Sequence, residues 1–380
     1  MSSSAPLATG PAASGGRESR NAFIDLLRGV AILGVVLHHL FSPTLDAAAA
    51  RIDVAGANVS LYLFNNGWLG VNLFFILSGF VLYRPGIATD RLSVIDYYVS
   101  RATRLWPLLF IFVTFICIID QRSPIKFASY IVLYLSGLNS LLPRSWMSGA
   151  IVWVLWSLGV EILFSILLPG LLALVRRLSL MRVLLAVAAF CFVYRIFADQ
   201  AWWLYLPDYA NAQLNPFKDN IFGRLDDFLF GMAAAHLVRA GWAPRRGLVW
   251  IAAAVLLLDL FGWNYLTAAG IPRMPAMSAL ASLLHVGFAV PVMVLIAALI
   301  RLPLWTRPAF LPLVVCGQLC YSIYLFHAFF YRYVPPEFTV SGIAVYLALT
   351  IGTAVPFFVY VESAGIHRMP SWTRPFRLSR

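Results

Sequence analysis

Charge is scarce in this sequence. Only 12% of its 380 residues are Asp, Glu, Lys or Arg, while 61% are hydrophobic. Soluble domains carry about 25% charged and about 45–50% apolar residues. The shortage excludes an ordinary soluble enzyme and leaves a polytopic membrane protein. Long polar stretches are also missing, so no separate soluble domain is expected beside the membrane domain. Cysteine is rare: Cys117, Cys191, Cys316 and Cys320 all lie in apolar segments. Cys316 and Cys320, one helical turn apart, read as small buried residues rather than a disulfide or metal pair. No metal-ligand spacing occurs. Internal repeats and inverted symmetry between halves are absent, which argues against many transporter folds.

Acidic residues are the scarcer charge, 16 Asp and Glu against 28 Lys and Arg, for a net charge of +12. Nearly all the cations are Arg, in short clusters between apolar runs. That distribution matches the positive-inside bias of membrane proteins and excludes a nucleic-acid-binding stripe.

Apolar segments fall at roughly 22–42, 67–84, 105–121, 127–142, 151–175, 181–200, 221–240, 247–267, 278–301, 311–334 and 340–361, against the about 20 residues a span needs. Residues 1–20, rich in Ser, Ala and Gly, read as a disordered cytoplasmic tail. The first apolar run is too long and too ionisable for a cleaved signal peptide, so it is a retained span. Charge tests the count. With the N-terminus inside, the Arg84/Arg91/Arg101/Arg104 loop is cytoplasmic. If 127–142 does not cross, Arg176/Arg177/Arg182, Arg239/Arg245/Arg246, Arg301/Arg307 and the basic tail at 367–380 are all cytoplasmic too. The expectation is an all-α helical bundle with about ten transmembrane helices, both termini cytoplasmic, and a re-entrant or interfacial segment near 127–142. One external loop, about 201–220, carries Trp202, Trp203, Tyr205 and Tyr209. These rings suit either the membrane interface or stacking on a sugar.

The ionisable residues inside this apolar frame carry the chemistry, because each is costly there. In "DLLRGVAILGVVLHHLF", Arg28 and His39 are eleven steps apart, on one face and about 16 Å apart along the axis. A guanidinium at the inner boundary suits phosphate. An imidazole further in suits proton transfer, or a structural hydrogen bond. His38 points about 100° away and is expected to be packed or hydrogen-bonded. In "NGWLGVNLFFILSGFVLYR", Asn72 lies near the outer end, and Ser78 near the middle reads as helix packing. Arg101 and Arg104 in "YYVSRATRLWP" share a face at the membrane edge. They suit a phosphate-rich ligand or lipid headgroups. Glu161 in "WSLGVE" lies near mid-membrane, as a proton-handling group, the partner of a buried base, or a structural ion pair. In "GRLDDFLFGM", Arg224, Asp226 and Asp227 stand at the outer start of a helix. The acids there either answer the helix dipole, hold an acceptor's hydroxyls or orient a histidine. "YSIYLFHAFF" brings His327 to the depth of His39. Glu362 reads as an interfacial anchor.

These segments, in order, resemble the acyltransferase 3 family of bacterial integral-membrane O-acyltransferases. "DLLRGVAILGVVLHH" is similar to the family's arginine–ten residues–histidine motif, at Arg28 and His39. "GVNLFFILSGFVLYR" resembles its second-helix motif. "SRATRLWP" is similar to its two-arginine motif, "WSLGVE" to its tryptophan–serine–leucine–x–x–glutamate block, and "YSIYLFH" to its late tyrosine–serine–histidine block. The sequence departs where Ser363 rather than proline follows Glu362, and where Asn72 stands in place of a frequent aspartate. The resemblance implies a membrane acyltransferase domain over 21–366. It implies transfer of an acyl group, usually acetyl, from acyl-CoA to a hydroxyl of a cell-surface sugar, a lipid-linked glycan or a small molecule such as a macrolide. On that basis Arg28, Arg101 and Arg104 would hold the CoA phosphates. His39 would take the acceptor's proton, or carry the acyl group covalently. Glu161 would orient or charge-balance an imidazole. Asn72, Arg224, Asp226, Asp227 and His327 would bind the acceptor or support the site. No resident cofactor or metal is implied. Partners would be acyl-CoA, the hydroxyl acceptor and membrane lipids, with no nucleic acid, in the bacterial inner membrane. The rival from another class is a transporter or flippase of a lipid-linked sugar, which also needs buried charge but has no use for the arginine trio.

Overall fold

The computed structural model describes residues 12–48, 51–54, 57–60, 63–84, 91–142, 154–205, 215–269, 275–337 and 339–363. Among them are twelve α-helices: α1 Ala12–Ala48, α2 Leu69–Leu82, α3 Arg91–Ile119, α4 Pro124–Leu135, α5 Leu155–Leu178, α6 Leu180–Tyr205, α7 Ile221–Arg239, α8 Arg246–Ala269, α9 Pro275–Leu299, α10 Leu311–Gln318, α11 Cys320–Tyr333 and α12 Val340–Phe357. The all-helical expectation holds apart from one hairpin, β1 Arg51–Val54 with β2 Ala57–Ser60, paired antiparallel with Arg51 opposite Ser60. Helix dominates because hydrocarbon offers backbone groups no other partner.

Among the described residues seven helices are long and apolar enough to cross a membrane, and up to eight if the α10–α11 pair, bent by 69°, counts as one span. The ten crossings expected from the basic loops would count α2 and α7 as well. Length hides the first, which has only 14 residues. Charge hides the second, whose 19 residues include Arg224, Asp226, Asp227 and Arg239. The 12-residue α4 spans ~18 Å, too short for a hydrocarbon core of about 30 Å, in agreement with a segment that does not cross. It starts at Pro124 behind a Ser123 cap, and the chain turns through a left-handed Gly137 at φ 78° shortly after it ends. Helix α1 begins at Ala12, so part of the stretch read as a disordered tail is helical here; residues 1–11 and the basic tail 367–380 lie outside the described residues. The aromatic loop is shorter than expected, because α6 runs on to Tyr205 and buries Trp202 against Phe217. Tyr209 lies outside the described residues, and so do the side chains of Trp203 and Tyr205.

Two contacts at backbone distance set the frame. A Cβ on Gly79 of α2 would lie 1.9 Å from the Phe228 carbonyl oxygen, and one on Gly231 of α7 would lie 1.8 Å from that of Ile76. A Cβ on Gly317 of α10 would lie 1.7 Å from the Asp25 carbonyl oxygen of α1. Small residues permit such approach between membrane helices. The first contact aligns α7 with α2, and the second sets α1 at Asp25 beside the α10–α11 bend. Apolar side chains cover the outside, as on α8, where Trp250, Leu257 and Leu258 are exposed.

Candidate active site

Three polar layers stack along the bundle. The first gathers around Arg28 of α1. Arg28 Nη1 donates to Asp25 Oδ1 at 3.2 Å. Arg101 of α3 forms an ion pair with Glu161 of α5 and donates from Nε to Ser165 Oγ at 3.1 Å. Ser78 Oγ donates to the same Glu161 oxygen at 2.6 Å. Arg104 has Arg28, Arg101 and Glu362 as its charged neighbours and makes no ion pair within 4 Å among the described residues. Glu362 is not the interfacial anchor expected. The last turn of its helix widens into a π-turn over Phe358–Glu362, which brings the carboxylate inward to accept from Ser322 Oγ, and Glu362 is buried.

The second layer is a pair of histidines. His39 Nδ1 and His327 Nε2 are 3.1 Å apart, with the rings near-parallel at 9° and centroids 5.3 Å apart. His327 Nδ1 lies 3.1 Å from the Ile323 carbonyl oxygen. A carbonyl only accepts, so His327 Nδ1 carries a proton. In a neutral ring its Nε2 then bears a lone pair and accepts from His39 Nδ1–H. The lone pair of neutral His39 is therefore on Nε2, an assignment made from the hydrogen-bond network. The surroundings hold His327 in place. Tyr346 Oη donates to its carbonyl at 2.8 Å, and the Tyr324 ring lies 5.5 Å away. Tyr324 is tied by its hydroxyl to the Val154 carbonyl at 2.8 Å and to Ser157 Oγ at 2.6 Å.

The third layer is an ion network among α6, α7, α9 and the segment before α7. Arg195 Nη1 donates to both oxygens of Asp226, at 3.0 and 2.9 Å. Arg224 pairs with Asp219 at 2.5 Å and stands 3.9 Å from Asp227. Lys218 pairs with Asp199 at 2.9 Å. Arg224 Nη1 also reaches His285 Nδ1 at 3.1 Å. Because a guanidinium only donates, His285 Nδ1 accepts and its Nε2 carries the proton. Asn72 Nδ2 bridges Asp227 Oδ2 at 3.3 Å and His285 Nδ1 at 3.2 Å. Every one of these ions is at least nine-tenths buried, and each carboxylate meets a cation, as burial requires.

One helical segment connects the three layers. Arg224 lies over the ring of Trp156 at 6.0 Å, Ser157 holds Tyr324, and Glu161 holds Arg101. Three residues of "WSLGVE" thus each serve a different layer. The family model described as an acyltransferase domain, the acyltransferase 3 family, matches residues 21–361 of the chain. The chain belongs to the acyltransferase 3 family. No curated protein and no solved structure matches it. Membership decides the choice between enzyme and transporter: this is a multi-pass membrane acyltransferase.

The acyltransferase brings its expected residues together in part. Arg28, Arg101 and Arg104 converge, and His39 meets His327. Glu161 does not meet an imidazole; its partners are Arg101 and Ser78, the ion-pair alternative. Arg224, Asp226, Asp227 and Asn72 form one network, with Asn72 linking an aspartate to a histidine. Sequence reasoning missed Arg195, Asp219 and His285. Arg195 and His285 carry the signal already used for His39, an ionisable residue within an apolar run.

Proposed function

We propose that this acyltransferase moves an acyl group, acetyl in the first instance, from cytosolic acyl-CoA to a hydroxyl of a cell-surface sugar or lipid-linked glycan. It would do so in the bacterial inner membrane with both termini cytoplasmic. The basic loops support that orientation. The observation that carries the reading is the pairing of two sites along α1: an arginine cluster formed by Arg28 with Arg101 and Arg104 of α3, and about 16 Å along the axis an imidazole whose Nε2 bears the lone pair. The cluster suits a polyanionic donor. Arg104 has no carboxylate partner within 4 Å among the described residues, so its charge is available to a CoA phosphate.

The chemistry follows from the tautomer. His39 Nε2 takes the proton of the acceptor hydroxyl as that oxygen attacks the thioester carbonyl. The resulting imidazolium keeps its Nδ1–H on His327 Nε2, which shares the new charge. The tetrahedral intermediate collapses, the C–S bond breaks, and the CoA sulfur takes the proton back from His39. The products are the O-acyl ester and free thiol, with protons balanced. A base in this position contributes about 10²–10⁴ in rate. The test compares mass spectra of surface glycans from cells making the wild type or His39→Ala. Loss of the acyl mass increment in the variant supports the reading, and full acylation by the variant overturns it.

A further inference from the structure

Beyond the arginine layer, where α2 and α7 end side by side, stands a second pair of cations that the mechanism does not use. Along α2, Asn72 belongs to the ion network and Ser78 to the arginine layer. Arg84 follows six residues after Ser78, about 9 Å further in the same direction. The chain leaves the helix at Tyr83, whose backbone is extended with ψ 93°. The Tyr83 ring is buried, and the Arg239 guanidinium from the last turn of α7 lies over it at 5.2 Å. His236, one turn earlier, stands edge-on to the same ring with centroids 6.3 Å apart. The charge that acts on half-buried Arg84 is that of Arg239. Neither arginine has a carboxylate within 4 Å or a hydrogen-bond partner among the described residues.

A guanidinium does not shed its proton, so two brought together repel until an anion comes between them. Arg101, Arg195 and Arg224 each meet a carboxylate, whereas this pair does not. Two arginines that donate together suit a phosphate monoester. Position separates its sources. Helix α2 packs against α1, α5, α7 and α9, and α7 against α2, α5, α6 and α9. Of the 19 residues of α7, 14 are buried, so these two helices stand at the centre of the bundle. Lipid headgroups border rim helices such as α8, with its exposed Trp250 and Leu257, while the ends of central helices open to water. A donor arriving from water on this side meets both arginine clusters. CoA carries a diphosphate and, one ribose away, a 3′-phosphate monoester, and two successive clusters match the two groups. We infer that Arg84 and Arg239 hold the ribose 3′-phosphate of the donor, so that the enzyme selects CoA thioesters over thioesters lacking this phosphate. The inference rests on the acyl-CoA reading and adds a separate site and a selectivity to it.

The probes are CoA and 3′-dephospho-CoA, titrated calorimetrically into full-length protein in phosphatidylcholine nanodiscs. Neither carries an acyl group, so binding is read apart from turnover. The wild type binds CoA at least tenfold more tightly than dephospho-CoA, the loss expected for a charge-assisted contact. Arg84→Gln/Arg239→Gln brings this ratio to within twofold by weakening CoA alone, and Arg239→Lys, which keeps the charge, restores part of it. Arg104→Gln weakens both ligands alike and leaves the ratio standing. The ratio compares two ligands on one protein, so a partly misfolded sample does not imitate its loss. A wild-type ratio within twofold, or a tenfold ratio that survives in the double variant, overturns the inference and leaves the acyl-CoA reading intact. A ratio abolished by Arg104→Gln moves the 3′-phosphate to the first layer and also overturns it. Phosphatidylglycerol nanodiscs test the lipid source: a Tm raised in the wild type but not in the double variant gives the site to a lipid phosphate and overturns the inference. Binding of neither ligand removes the acyl-CoA reading itself.

Discussion

The histidine pair makes a quantitative prediction. His327→Phe keeps a ring in the same place but removes the acceptor, 3.1 Å away, for His39 Nδ1–H. Two consequences follow. Neutral His39 loses the partner that fixes its proton on Nδ1, so part of the population carries it on Nε2 and cannot act as a base. The imidazolium formed in the transition state also loses a hydrogen bond. A hydrogen bond to a charged group contributes about 1.5–3 kcal/mol. At about 1.4 kcal/mol per decade of rate, kcat falls roughly 10- to 100-fold. His327 has no part in the donor layer, so KM for acetyl-CoA stays within twofold. The assay is acceptor-dependent CoA release by purified protein. His39→Ala sets the floor, and the double variant is no slower than His39→Ala alone, since His327 acts through His39. A His327→Phe enzyme with kcat within twofold of wild type would refute the tautomer argument. A double variant markedly slower than His39→Ala would show that His327 acts independently.

The arginine layer gives two further outcomes. Arg104→Ala removes the one arginine of the trio without an ion pair among the described residues. It raises KM for acetyl-CoA about tenfold or more through loss of a charge-assisted contact, with little change in Tm; an unchanged KM would remove Arg104 from the donor site. Arg101→Ala strands Glu161 beside Ser78, and breaking a buried pair costs about 3–5 kcal/mol. The side chains are 11% and 16% exposed, so the low end, about 3 kcal/mol, is expected as a lower Tm in detergent. Arg101→Met/Glu161→Leu recovers most of it, and a double variant as unstable as the single one contradicts the pair's role.

Much of the site was legible in the sequence because local rules reach it. Helical periodicity sets Arg28 and His39 on one face, and the basic loops set the direction of α11, so His327 comes to the depth of His39. Periodicity is silent on which helices touch. The contact of Glu161 with Arg101 joins residues 60 positions apart, and that of His39 with His327 joins residues 288 apart. The partner of Glu161 was therefore assigned to an imidazole when it is a guanidinium. His285 escaped notice because its surroundings match no motif, although its burial in an apolar run was visible. Glu362 was misplaced because a π-turn rotates it by an amount that a 3.6-residue period does not anticipate.

The central claim is that His39 Nε2 is the base for acyl transfer from CoA. The most direct measurement follows radiolabelled acetyl from acetyl-CoA into extractable glycan and lipid in inverted membrane vesicles containing wild type or His39→Ala. The account predicts label in the wild type and a loss of about 10²–10⁴ in the variant at unchanged protein level. Equal labelling by the two would contradict it.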